Sequence, residues 1–198
     1  MAALTDSTDT FRFREGAGRI CLDFVRTLRL RGTAEAVDEL ADPAALAAWV
    51  RQLGPCAPDA PAPVPSTELL GWARELREAV LALLLAARTP EGLAHCPPEA
   101  RQLVNQAAEQ SVPVPVLEAS GSLGWRADDP VAATLALVAR DALDLAASPL
   151  SDRVRECASD SCAALFLDSS RPGTRRWCSM DACGNQAKKA AFRERAAS

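Results

Sequence analysis

Tyrosine is absent from this chain of 198 residues, and histidine occurs once, at His95. No glycine-rich phosphate loop, H-E-x-x-H helix or G-x-S-x-G elbow is present. His95 does adjoin Cys96, but neighbours in sequence point in different directions and the segment is rich in proline and glycine, so a solvated loop histidine is expected there, not a nucleophile and base. Nothing in this inventory supports an enzyme. Long apolar runs are also missing: the longest, 79–87, has nine residues and follows Arg74, Glu75, Arg77 and Glu78, too short to span a bilayer. The opening residues, Met1-Ala-Ala-Leu-Thr-Asp-Ser-Thr-Asp, have neither a basic stretch nor an apolar one of the kind that directs export. A cytoplasmic, reducing setting is the expectation, and it disfavours disulfides.

Positive charge is scarce over most of the chain. The net charge of −4 argues against a polyanionic partner, yet it divides unevenly: residues 1–150 carry 13 Lys and Arg against 20 Asp and Glu, whereas 151–198 carry 9 against 6. From Arg171 onward the count is 7 to 2. The acidic protein therefore has one basic end.

That end also holds four of the seven cysteines. Cys157, Cys162, Cys178 and Cys183 form C-x4-C, fifteen intervening residues, then C-x4-C. Two pairs on tight turns, the second brought back by a hairpin, can place four thiolates around one Zn2+. Four thiolates leave no open coordination position, so such a site is structural, and in small modules it contributes about 10 kcal/mol or more to folding. Gly184 is expected to allow a turn that aims backbone N–H groups at sulfur, with Ser161 and Ser179 adding hydrogen bonds. The alternative is four cysteines that are merely buried or disulfide-bonded. Of the others, Cys21 reads as a small core hydrophobe and Cys56 as an exposed residue of a proline-rich linker, 55–65.

Periodicity sketches the remainder. A strand is predicted at Phe11–Phe13, then a helix from Ile20 that includes Phe24 and Leu28. Further helices are predicted from Pro43, capped by Asp42, to Gly54; from Ser66 or Thr67 to about Arg88; from Pro98 to about Gln110; and from Pro130, after Asp129, to about Ala147. Val112, Val114 and Val116 pair with a return strand through Leu123 and Trp125 after a turn at Ser120-Gly121. The fold class is α+β: a mostly helical N-terminal domain with a small antiparallel sheet, 1–149, and a small four-cysteine, zinc-ribbon-like module, 150–198, ending in a basic helix.

Within the module, Arg171, Arg175 and Arg176 are expected at a hairpin tip, Trp177 and Phe166 over the metal, and Asn185 as cap of a helix bearing Lys188, Lys189, Arg193 and Arg195. Those cations suit phosphate contacts, with Asn185 or Gln186 near a base edge; the alternative is a solvated chain end. Asp23 and Arg26 interrupt the first apolar helix three residues apart, as an ion pair or as part of a ligand pocket.

The segment C-A-S-D-S-C-A-A-L-F-L-D-S-S-R-P-G-T-R-R-W-C-S-M-D-A-C-G-N-Q resembles the CGNR zinc finger, and Leu22-Asp23-Phe24-Val25-Arg26-Thr27-Leu28 with Asp42-Pro43-Ala44-Ala45-Leu46-Ala47-Ala48-Trp49 resembles the ABATE domain that commonly precedes it. The resemblance implies a bacterial stress-induced transcription regulator that holds zinc through Cys157, Cys162, Cys178 and Cys183 and contacts DNA nearby. Gln186 stands where the signature has Arg, and Arg26 where Asn is usual. The expected partners are DNA, a small-molecule effector and a second copy of the chain. A zinc-dependent protein-interaction module and a thiolate redox sensor are the alternatives from other classes.

Overall fold

The computed structural model describes residues 11–56, 64–159 and 162–196. Three helices dominate: α3 (Thr67–Ala87), α4 (Pro98–Glu109) and α5 (Pro130–Ala147), each packed on the other two. The short α1 (Ile20–Val25) and α2 (Pro43–Leu53) lie against α3 and α5. Their starts follow from local chemistry. Asp42 accepts from the Ala45 N–H at 2.8 Å, Ser66 from Leu69 at 3.1 Å, and Asp129 from Val131 and Ala132, which satisfies donors that the first helical turn leaves orphaned. Pro43, Pro98 and Pro130 occupy first-turn positions, where a missing N–H costs nothing.

Three antiparallel strand pairs complete the α+β fold: β1 (Leu28–Arg29) with β2 (Val37–Asp38), β3 (Val114–Leu117) with β4 (Leu123–Arg126), and β5 (Val154–Glu156) with β6 (Leu165–Leu167). The β3–β4 register sets Leu117 opposite Leu123, both exposed. The last helix, α6, spans Asn185–Ala196. No described helix is long and apolar enough to cross a membrane.

Trp49 and Phe24 are fully buried with ring centroids 5.0 Å apart. Around them, α5 contributes Ala136, Ala139 and Ala142, small enough to let neighbouring helices approach closely. The same buried cluster runs without a break into Val154, Leu165 and Phe166 and on to Cys157, Cys178 and Cys183. The seam is tight where Leu167 donates to the Ala17 carbonyl at 2.8 Å. Gly18 is required there: its φ is +97°, and a Cβ would come within 3.0 Å of the Leu167 Cβ.

Several local expectations are corrected. Phe11–Phe13 forms no strand; Phe13 instead exchanges backbone hydrogen bonds with the Gln52 side chain at 2.9 Å. The first helix stops at Val25, and Leu28 lies in β1, because Thr27 Oγ1 turns back onto the Phe24 carbonyl and the Thr27 carbonyl accepts from Glu39. Cys56 is half-buried, while residues 57–63 of the proline-rich segment lie outside the described residues. His95 is exposed, as expected, at the end of a 3-10 turn.

One buried cation holds β2 to the bundle. Arg77 on α3, 2% exposed, donates to both carboxylate oxygens of Asp38 at 2.7 and 2.9 Å and to Thr27 Oγ1. Burial pushes the Asp38 carboxyl up, but its bonds from Arg77 outweigh that and hold it below 3.8. The pair's stability is fully present above that value and is lost as the pH falls through the depressed folded value. Asp38→Asn is expected to cost about 2 kcal/mol by leaving the buried Arg77 guanidinium with Glu78 as its remaining counter-charge, and to flatten the acid limb of stability against pH; chemical denaturation from pH 3 to 7 checks both.

Candidate metal centre

The four cysteines come from three local structures. Cys157 directly follows β5, Cys162 sits on the turn leading to β6, Cys178 precedes a π turn, Met180–Gly184, and Cys183 lies within that turn, which runs directly into α6. The first knuckle closes through Cys157 N–H to the Ala164 carbonyl and Cys162 N–H to the Ser159 carbonyl, both 2.9 Å. Ala163 takes a left-handed φ of +49° to make that turn. The second pair is delivered by the π turn, not by a returning hairpin.

All four sulfurs lie within 4.8 Å of one another. Cys162 Sγ and Cys178 Sγ are 3.6 Å apart, and Cys178 Sγ and Cys183 Sγ 3.7 Å. Zn–S bonds of about 2.3 Å in a regular tetrahedron give S···S edges of about 3.8 Å, so the donor set fits that ion in number, softness and spacing. The Cys178 N–H points at Cys157 Sγ at 3.4 Å, the kind of contact that orients and stabilises a thiolate.

Phe166 is fully buried in the same cluster as Cys157, Cys178 and Cys183, and Trp177, half-buried, packs against that cluster. Gly184 serves a different end from the expected one. Its N–H bonds the Ser179 carbonyl, and a Cβ would meet Met180 Sδ at 2.7 Å and Trp177 at 3.3 Å, so glycine lets these side chains close over the turn. Ser161 lies outside the described residues.

Asp23 and Arg26 are buried, 7% and 5% exposed, and bonded to each other at 3.3 Å. Asp23 also accepts from the Gly16 and Ala17 N–H groups; burial raises its carboxyl and these bonds offset only part of the rise. Arg26 donates to the Glu15 carbonyl and reaches Cys178 Sγ at 3.9 Å. The two side chains form an ion pair, as one of the two expectations had it, and Arg26, though not Asp23, also lines a cavity beside the cysteines; its contact with Cys178 spans 152 positions of chain and no local pattern announces it.

The basic residues divide. Arg171, Arg176, Asn185, Gln186, Lys188, Lys189 and Arg193 are exposed. Arg175 is not at a hairpin tip: its guanidinium lies 4.8 Å over the Phe166 ring and donates to the carbonyls of Trp177 and Cys178. The 169–177 segment is an irregular loop gathered around Asp168, which accepts from the Ser170 and Arg175 N–H groups at 2.9 and 2.8 Å, and the hairpin is the upstream β5–β6 pair. A buried Asp followed by Ser-Ser and Pro-Gly is a turn-nucleating pattern, the signal that could have located Asp168. Asn185 is the first residue of α6, not its cap, because the π turn feeds the helix directly. The side chain of Arg195 lies outside what is described.

The family described as "putative stress-induced transcription regulator", ABATE, matches residues 18–149, and the CGNR zinc finger matches 153–196. Neither is described as an enzyme. No curated protein matches the chain. With its first match covering well over half of its length and its four cysteines gathered where the second requires them, the chain belongs to the ABATE family and carries a CGNR zinc finger.

Proposed function

We propose that the protein is a cytoplasmic transcription regulator that holds one Zn2+ through Cys157, Cys162, Cys178 and Cys183 and binds DNA through the surface of that module, while the N-terminal segment receives an effector or a second copy. Bound there, Zn2+ would tie β5, the turn before β6 and the start of α6 together, a structural role because four thiolates leave no place for substrate. The observation that carries the reading is charge placement. Arg171, Arg176, Lys188, Lys189 and Arg193 are exposed on the cysteine module, and none makes an ion pair among the described residues. Cations left unpaired beside an acidic body suit phosphate contacts, which position a protein on DNA; Asn185 and Gln186, exposed at the start of α6, are placed to approach a base edge.

Titration of the zinc-loaded chain against duplex DNA over a range of salt tests this. Affinity falling steeply with salt supports it; no binding, or binding indifferent to salt between about 50 and 200 mM, overturns it in favour of a protein-interaction module.

Arg26 is the second point of test. As a cation bonded to a ligand sulfur it offsets part of the negative charge that four thiolates impose on a divalent ion. Arg26→Met, similar in length and uncharged, is expected to weaken zinc retention about 10- to 100-fold in competition with a chromophoric chelator. An unchanged competition curve would show that the contact has no part in holding the metal.

A further inference from the structure

A cavity of 260 Å³ opens between the end of α1, strand β1 and the cysteine module. Four arginines line it, Arg14, Arg26, Arg29 and Arg31, and no acidic residue among the described residues does. The remaining wall is apolar, chiefly Val25, Leu28, Leu81 and Leu165, and its far side is made by Cys162, Cys183 and Gln186. We infer that this cavity is a binding site for a small organic monocarboxylate with an apolar body, seated between the N-terminal segment and the metal centre.

Three observations carry the inference. The first is unspent hydrogen-bonding capacity. Arg26, Arg29 and Arg31 each have a carboxylate behind the wall, in Asp23, Glu39 and Glu78 respectively, but Arg14 makes neither a hydrogen bond nor an ion pair among the described residues. Arg14 is thus the lining cation left to take an incoming carboxylate. The second is backbone strain. Among the described residues, the two non-glycine residues with left-handed φ, Leu30 at +53° and Ala163 at +49°, both line this cavity, from opposite sides of the seam. Such conformations persist where the surroundings hold them, and they gather at binding sites.

The third is charge balance, which selects the ligand. Glu39 acts electrostatically on Arg14 and Arg26 as well as on Arg29, and a loaded four-thiolate centre adds negative charge at the far wall. A dianion would meet that repulsion directly. A single carboxylate can sit at Arg14 and the free N–H groups of its neighbours and turn its apolar body to Leu28, Leu81 and Leu165. Because Gln186, Cys162 and Cys183 form the opposite wall, an occupant touches the module that carries the basic surface. Its role as an effector rests on the regulator reading given above; its binding does not.

Benzoate is the probe, with benzamide as its uncharged counterpart, titrated calorimetrically into the zinc-loaded full chain without DNA. Benzoate is expected to bind saturably at or below about 1 mM, and benzamide at least about tenfold more weakly. Arg14→Gln should weaken benzoate about tenfold, Arg14→Lys should restore part of the loss, and Arg12→Gln, which does not line the cavity, should leave it unchanged. No saturable benzoate binding up to about 10 mM, equal affinity for benzamide, or indifference to Arg14→Gln each overturns the inference. Benzoate binding by a protein that shows no DNA affinity would support the cavity and sink the regulator reading, so the two fail separately.

Discussion

Cys178→Ser is expected to leave the purified protein with far less than one equivalent of zinc and to unfold the cysteine module. Cys178 lies at the centre of the cluster, with its sulfur close to those of Cys162 and Cys183, its N–H on Cys157 Sγ and Arg26 on its own sulfur. Serine supplies a neutral, harder oxygen in place of a soft thiolate and leaves Arg26 without that partner. Structural zinc binding contributes on the order of 10 kcal/mol, comparable to the whole stability of an ordinary domain, so even a partial loss is large. Colorimetric zinc determination and thermal denaturation read the result, with Cys56→Ser, remote from the cluster, as the control. A Cys178→Ser protein with full zinc and wild-type melting would remove the site.

The second large effect concerns salt. If four or five of Arg171, Arg176, Lys188, Lys189 and Arg193 reach phosphates, the logarithm of affinity should fall with a slope of about −4 against the logarithm of salt concentration. Between about 50 and 200 mM that is a loss on the order of 10²-fold. Lys188→Gln with Lys189→Gln should shallow the slope by about two. Arg175→Gln should leave the slope alone and lower stability instead, because its guanidinium is spent on Phe166 and two backbone carbonyls. A slope that responds to Arg175 and ignores the lysines would reverse the assignment of these residues.

What could be read from the residues was what short-range chemistry decides. The caps at Asp42, Ser66 and Asp129, with prolines after the first and the last, define helices almost to the residue, since an orphaned N–H is satisfied by a neighbour in sequence. The C-x4-C pairs belong to the same kind, because each knuckle closes on itself. The helix expected to run through Leu28 was not legible, as its end is fixed by Thr27 meeting Glu39 and by Arg26 being drawn to Cys178. Arg14, Arg29 and Arg31 gave no signal either: each is an ordinary basic residue until β6 and the π turn are brought against them. Arg175 was misplaced for a related reason, since charge along a sequence does not say which guanidinium will be folded inward over a ring.

The buried cluster that passes from Trp49 and Phe24 through Phe166 to the cysteines joins the helices and the cysteine module in one continuous core. With Zn2+ held by the four cysteines as proposed, the helices would draw part of their stability from that ion. A chain of this kind survives cellular proteases in proportion to how well it is supplied with metal, because unfolded copies are the ones degraded. On the proposed reading, abundance would then track zinc availability even with transcription and translation held constant.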